Sequence, residues 1–222
     1  MSPHTLEHYT PPPDEGLTLL YADEALLLLD KPSGLLSVPG RGEGFADCLI
    51  ARAQRQFPDA LVVHRLDMAT SGILLLARGA AMQRALSLLF AGRAVRKRYV
   101  AVVAGHLPGE GRIMLPLGRD WPNRPRQKVD LLAGKPAHTD WRALHYDAAN
   151  VCSRVELWPH TGRTHQLRAH MQALGHPILG DSLYAPSAAL AAAPRLLLHA
   201  SRLQLPHPLS GAPLDIHCPP PF

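Results

Sequence analysis

The sequence predicts an α+β fold, a mixed and mainly antiparallel sheet flanked by helices and loops. Three observations carry that prediction. Apolar runs of strand length outnumber stretches with helical spacing, many neighbouring runs are joined by short turns, and the helical stretches close on glycine or proline.

The elements follow in chain order. Residues 1–16 read as an extended, poorly ordered arm, because Pro11, Pro12 and Pro13 block a helix. Residues 17–21 and 25–30 are apolar runs around Ala22-Asp23-Glu24, the pattern of a strand hairpin. Lys31-Pro32-Ser33-Gly34 then forces a turn, and residues 38–44 form a Gly-rich loop without GxGxxG spacing. Residues 47–57 have helical spacing (Leu49, Ile50, Ala53, Phe57) up to Pro58. The run 72–77 has the continuous apolar character of a buried strand, and 80–91 reads as a helix closed by Gly92. Strands are expected over 98–104, 113–115, 137–146 and 151–158, a helix over 163–174 closed by Gly175, and short late strands at 196–199, 203–205 and 214–217. No linker or internal repeat divides residues 17–222, so they are expected to form a single domain.

Composition narrows the function classes. The 222 residues are 46% hydrophobic and 18% charged, enough apolar content for a real core. The formal charge is +5 and the isoelectric point about 9.4, which suits a polyanionic partner. Three cysteines far apart, with no CxxC, read as reduced thiols of a cytoplasmic protein. No apolar run is long enough to span a bilayer, and no signal pattern opens the chain, so no membrane association is expected. His165 and His170 are five apart, the wrong spacing for two ligands one helical turn apart, and no HExxH occurs. The expectation is no metal, with His64, His160, His176 and His199 as satisfied structural histidines. GxSxG and Walker motifs are absent too.

Four clusters could carry chemistry. His64-Arg65-Leu66-Asp67-Met68-Ala69-Thr70-Ser71-Gly72 lies between two apolar runs. An aspartate there could simply cap a turn, but Arg65 two residues before Asp67 at a strand end would point the same way. In Gly162–His170, a helix would send Leu167, Met171 and Leu174 inward and leave His165, Arg168 and Gln172 as a polar stripe. Arg93–Arg98 holds four cations among six residues, directly before Tyr99. Cations that hold phosphate beside a ring that stacks on a displaced base suit RNA. The stretch 119–128, with Arg119, Trp121, Arg124, Arg126, Lys128 and two prolines, reads as an irregular loop that contacts phosphate.

Taken together, these motifs resemble the RluA family of pseudouridine synthases. Lys31-Pro32-Ser33-Gly34-Leu35, His64-Arg65-Leu66-Asp67 with Thr70-Ser71-Gly72, Lys97-Arg98-Tyr99, Gly162–Arg168 and Gly175–Asp181 occur in the family's order across nearly the whole chain. Residues 121–129 and 37–41 are most similar to the short, dual-specificity subgroup acting on both 23S ribosomal RNA and transfer RNA. The chain before Lys31 is too short for the S4 domain that many relatives carry.

The resemblance implies a pseudouridine synthase catalytic fold and a reaction without cofactor, metal or nucleotide. The bond from uracil N1 to ribose C1′ breaks, the base turns while bound, and C5 bonds to C1′. Asp67 would be the catalytic carboxylate, attacking C1′ or C6 or abstracting a sugar proton, three routes the sequence leaves open. Arg168 would pair with Asp67, Tyr99 would stack on the uracil and assist at C5, and Leu167 would wall the pocket. Arg65 would fill the space of the flipped base, with His64 beside it as an RNA contact. Arg96, Lys97, Arg124 and Arg126 would hold phosphates.

Flipping costs roughly a few kcal/mol and is cheaper in a loop, so stem-loop substrates are expected. No protein partner is implied, and a monomer is expected. Two other readings compete. A base-excising glycosidase would use Asp67 but normally needs a second carboxylate, and none stands out. A non-catalytic RNA-binding module would explain the cations and Tyr99, yet not an aspartate among them.

Overall fold

The computed structural model describes residues 9–42 and 44–222; the first eight residues of the expected arm, and Glu43 in the Gly-rich loop, lie outside them. In chain order the elements are β1 (Leu19–Ala22), β2 (Leu26–Lys31), α1 (Leu49–Gln56), β3 (Ala60–Val62), β4 (Ser71–Arg78), α2 (Gly79–Ala91) and β5 (Arg96–Ala104). There follow β6 (Glu110–Ile113), β7 (Leu117–Arg119), β8 (Gln127–Val129), β9 (Thr139–Asp147), β10 (Cys152–Pro159), α3 (Gln166–Ala173), α4 (Ser187–Ala191), β11 (Leu198–Pro206) and β12 (Pro213–His217). The α+β class is as expected: β1–β2, β2–β4, β3–β4, β5–β10, β10–β9, β9–β6, β11–β12 and β7–β8 pair antiparallel, and β4–β11 pair in parallel.

The described residues fall into two compact units. One holds residues up to Lys97 together with His199–Pro221. Its sheet runs β1-β2-β4-β11-β12, with β3 also on β4. Strands β2 and β4 are apolar almost throughout because both their faces are covered. Helix α2 turns Leu86 fully inward, with Met82, Leu89 and Phe90 on the same side, onto Leu26, Leu28, Ile73 and Leu75. Part of the expected N-terminal arm is pinned. The Pro12 and Pro13 carbonyls accept hydrogen bonds from the buried Arg52, and Tyr9 stacks on Phe45.

The other unit holds Arg98–Leu198 and Phe222. Four antiparallel strands run β5-β10-β9-β6, with α3 packed against β8 and β10. Strands β7 and β8 form a separate two-stranded ribbon.

Four details depart from the sequence reading. The stretch 119–128 is not wholly irregular: its ends pair as Arg119↔Gln127 and Gly118↔Lys128, while Pro122 and Pro125 sit in the tip, where no ladder N–H is required. Strand β11 is one element rather than two, because its Arg202 lies on an open face and pairs with Asp215 of β12. Helix α3 starts at Gln166, not Arg163, since His165 takes a left-handed conformation at φ 52°. The Ala-rich stretch 188–193, which carries no element in the sequence reading, overlaps the short helix α4.

Candidate active site

The segment between β3 and β4 carries Asp67, and irregular backbone of this kind needs outside partners for its polar groups. It has them. Lys31, at the end of β2, is fully buried, and its Nζ donates to the carbonyls of Pro32, Leu35 and Met68 at 2.7, 2.6 and 3.0 Å. The Ser33 hydroxyl donates to Ala69 O at 2.7 Å, and the Gly34 N–H to Met68 O at 2.9 Å. Ser37 Oγ both donates to Leu66 O and accepts from Leu66 N. The Lys-Pro-Ser-Gly turn thus grips the loop after Asp67 and Ser37 grips it before, and a turn from Thr70 N to Asp67 O closes it.

Past the loop, Gly72 is required. Its φ is +105°, and a Cβ there would sit 2.4 Å from Ala200 O, because β11 runs alongside in parallel register. The adjoining Ser71 bonds His199 Nδ1 at 2.9 Å.

Within this loop Leu66 is buried, Asp67 is half-buried and Arg65 is exposed. Arg65 has no hydrogen-bond or ion-pair partner among the described residues. The backbone here is irregular, so the period-two argument for Arg65 and Asp67 does not apply. His64 Nε2 accepts the Leu75 N–H at 3.0 Å, and the ring stacks on Phe90. Burial, with a smaller push from the charge of Lys97, drives its pKa down to about 3 and keeps the imidazole neutral. That geometry makes His64 a support of the loop.

The basic run divides along β5. Arg96 is exposed, whereas burial lowers the pKa of Lys97. Arg98 is spent on the buried Glu156 at 2.7 Å, which Arg142 also pairs at 2.6 Å. Tyr99, half-buried and opposite Leu157 of β10, lies on the same strand face as Lys97.

On α3, Leu167 and Met171 are buried as expected, but Leu174 is 37% exposed. The expected polar stripe is split as well: Arg168 is buried and Gln172 exposed. Arg168 forms a two-pronged pair with the fully buried Asp181, Nε to Oδ2 at 2.8 Å and Nη2 to Oδ1 at 2.6 Å. Asp181 Oδ1 also accepts the N–H groups of Leu183 and Tyr184, and the guanidinium lies over the Tyr184 ring. Gly180, at φ +70° with Arg195 O where a Cβ would be, brings Asp181 into place. Sequence reasoning assigned no role to Asp181, Tyr184 or Lys31. A carboxylate closing the apolar Gly175–Asp181 motif was the available signal.

Comparison with known proteins agrees with these motifs. The family model of RNA pseudouridylate synthases matches residues 25–173. The chain belongs to that family. It is 51% identical over 218 residues to the dual-specificity RNA pseudouridine synthase RluA of Escherichia coli K12, covering 98% of this chain and 99% of the relative. The RluA of Pasteurella multocida is 46% identical over 215 residues, covering 96% and 98%. Among solved structures, human RNA pseudouridylate synthase domain containing 1 superposes with a TM-score of 0.80 at 30% identity, covering 96% of this chain and 87% of that one. The enzyme is an RNA pseudouridine synthase, converting uridine to pseudouridine.

The synthase carries its remaining expected RNA contacts on the β7–β8 ribbon. Trp121 is exposed at its tip, with the guanidinium groups of Arg119 and Arg124 over its ring at 5.4 and 5.2 Å. Arg126 lies over the Tyr184 ring, and its Nε has no hydrogen-bond partner among the described residues. Tyr184 Oη accepts the Gln127 N–H at 2.7 Å and bonds His165 Nδ1, tying ribbon to helix.

Among the described residues, two groupings have metal-binding side chains. In Asp30, His199 and Cys218, the two histidine nitrogens are committed to Ser71 and the Cys218 carbonyl. Burial, and then the charge of Asp30, push the Cys218 thiol up to about 12, so it stays protonated. The other grouping is His138, Asp140 and His160, which no sequence spacing suggested.

Proposed function

We propose that this synthase modifies uridines in the loops of two RNA classes, a 23S ribosomal RNA hairpin and a transfer-RNA anticodon stem-loop, in the cytoplasm. The single observation behind this is likeness over the whole chain to relatives named for dual specificity, at 51% identity. The basic, aromatic ribbon tip supports it, since stacking and phosphate contacts suit an unpaired loop.

In this reading Asp67 is the catalytic carboxylate. The N1–C1′ bond breaks, the uracil turns, C5 bonds to C1′, and the C5 proton is lost as N1 gains one. Arg168 positions Asp67. A guanidinium offers five N–H donors, two of which serve Asp181, so one side chain can be held by one carboxylate while it serves another. Tyr99 stacks on the uracil and assists at C5, and Leu167 walls the base. Arg65, exposed beside Asp67, fills the space of the extruded base. Arg96, Arg124 and Arg126 hold phosphate. His64 instead supports the Asp67 loop from within, and Lys97 is half-buried on β5.

The test offers RNA tritiated at uridine C5 to the wild-type synthase and to Asp67→Asn. Tritium release by the wild type from both stem-loops, without free uracil, is the expected result. Release from one RNA class alone would remove dual specificity. Free uracil would indicate a glycosidase instead.

A further inference from the structure

We infer that His138, Asp140 and His160 form a binding site for one divalent transition-metal ion of the zinc class. The argument starts from strand geometry. His138 directly precedes β9 and Asp140 lies two residues on within it, and their side chains meet. The antiparallel register that pairs Asp140 with Trp158 and Thr139 with Pro159 brings His160 opposite His138, and the His160 N–H bonds His138 O at 3.0 Å. The two imidazoles stack with centroids 4.1 Å apart and planes 18° apart. Both present Nε2 to one carboxylate, His138 to Oδ1 at 2.9 Å and His160 to Oδ2 at 2.7 Å.

Two donors at about 2.0–2.1 Å from a tetrahedral zinc ion lie roughly 3.3 Å apart, so the observed spacings of 2.9 and 2.7 Å would open by about half an ångström as the ion enters. Imidazole and carboxylate are the ligand types that zinc, cobalt and nickel accept. A neutral histidine can shift its proton to Nδ1 and present Nε2 as a lone pair, and the partly exposed rings would tilt out of their stack to aim both lone pairs at one ion.

The backbone of this site is fixed beforehand. His138 N–H donates to Thr161 Oγ1, whose hydroxyl donates to Gln166 Oε1, while Gln166 Nε2 returns to His138 O at 2.9 Å. Buried Gln166 therefore holds both histidine-bearing ends together. Half-exposure of the three side chains leaves a coordination position open to water. One group opposes a cation: Arg112 Nε donates to Asp140 Oδ1 at 3.0 Å. Its side chain is 62% exposed and can swing into solvent, so it tunes affinity without blocking the site.

The test titrates the purified, chelator-treated enzyme with zinc chloride by calorimetry, and with cobalt(II) by visible absorption. One ion per chain is expected, together with a rise in Tm. His160→Ala, a change on an exposed ring, should weaken zinc binding by more than about tenfold and abolish the Tm rise. Arg112→Ala should tighten binding severalfold. Zinc uptake equal in wild type and His160→Ala, or weaker in Arg112→Ala than in wild type, would overturn the site and assign the cluster to hydrogen bonding alone. Turnover of RNA is not needed for either readout, so failure here leaves the assignment of Asp67 untouched.

Discussion

The Asp67 loop and the tip of the β7–β8 ribbon are both irregular, yet they are held in opposite ways. Around Asp67, side chains from elsewhere in the unit bond the loop's main chain: Lys31 and Ser33 its carbonyls, Ser37 both groups of Leu66. The ribbon tip bonds chiefly to itself, through Asp120 N to Arg126 O, Asn123 N to Asp120 O and Arg126 N to Asn123 O. Its anchor to the helix is one tyrosine, Tyr184. The difference teaches where positional accuracy is needed. A reacting carboxylate misplaced by an ångström loses most of its rate, whereas phosphate contacts tolerate movement and benefit from it.

The largest effect that would break this comparison is chemical. Asp67→Asn should lower turnover by more than about 10³-fold while RNA affinity is kept, measured by tritium release and by filter binding. Asp181→Asn should follow. Loss of its two-pronged hold on Arg168 is expected to reduce kcat by about tenfold or more, with KM nearly unchanged, and to destabilise the fold by about 2–3 kcal/mol in urea denaturation. An equal rise in KM would make Asp181 a binding residue instead.

Lys31→Met leaves three carbonyls without their ammonium and should cost about 3 kcal/mol of stability, along with activity. If activity survived intact, the claim that the loop needs this grip would fall. On the ribbon, Arg124→Ala and Arg126→Ala should each lower RNA affinity only severalfold and reduce the salt slope by about 1, with kcat unchanged. Arg96→Ala belongs with them. Lys97→Ala should not change the slope, because that ammonium is partly buried.

A separate expected effect concerns pH. His64 titrates at about 3 in the fold against 6.5 when unfolded, so between those values the unfolded chain binds more protons. Stability from this group is complete above pH 6.5 and is lost as pH falls toward 3. His170, buried and bonded to Thr139 and Leu115, shifts in the same direction. His64→Gln keeps an acceptor for Leu75 N–H but does not titrate, so it should flatten the fall in urea midpoint between pH 7 and pH 4.5. An unchanged pH profile would show that the ring is not held neutral.

Much of this was legible in the sequence. The continuous apolar runs announced β2 and β4 because both faces of each are covered, and Gly92 closed α2 where expected. The motif His64–Asp67 with Ser71 and Gly72 pointed to the loop that leads into β4, and the ordered set of motifs pointed to the family. The strand-end argument for Arg65 and Asp67 gave way to irregular backbone. The inward facing of Leu174 failed because α3 ends at Ala173, before that turn.

By itself the sequence determined the fold class, the family and the candidate carboxylate, because those depend on local periodicity and on short motifs in a set order. Only the tertiary structure decided which cations are committed and which face outward. Arg98 and Arg96 are two apart in one basic run, yet one is neutralised by Glu156 and the other reaches solvent. Tertiary packing also joined Lys31 to the Asp67 loop, Asp181 to Arg168, and His138 and Asp140 to His160. Each joining spans segments that no local pattern relates, because strand register and burial, not spacing along the chain, set which polar groups meet.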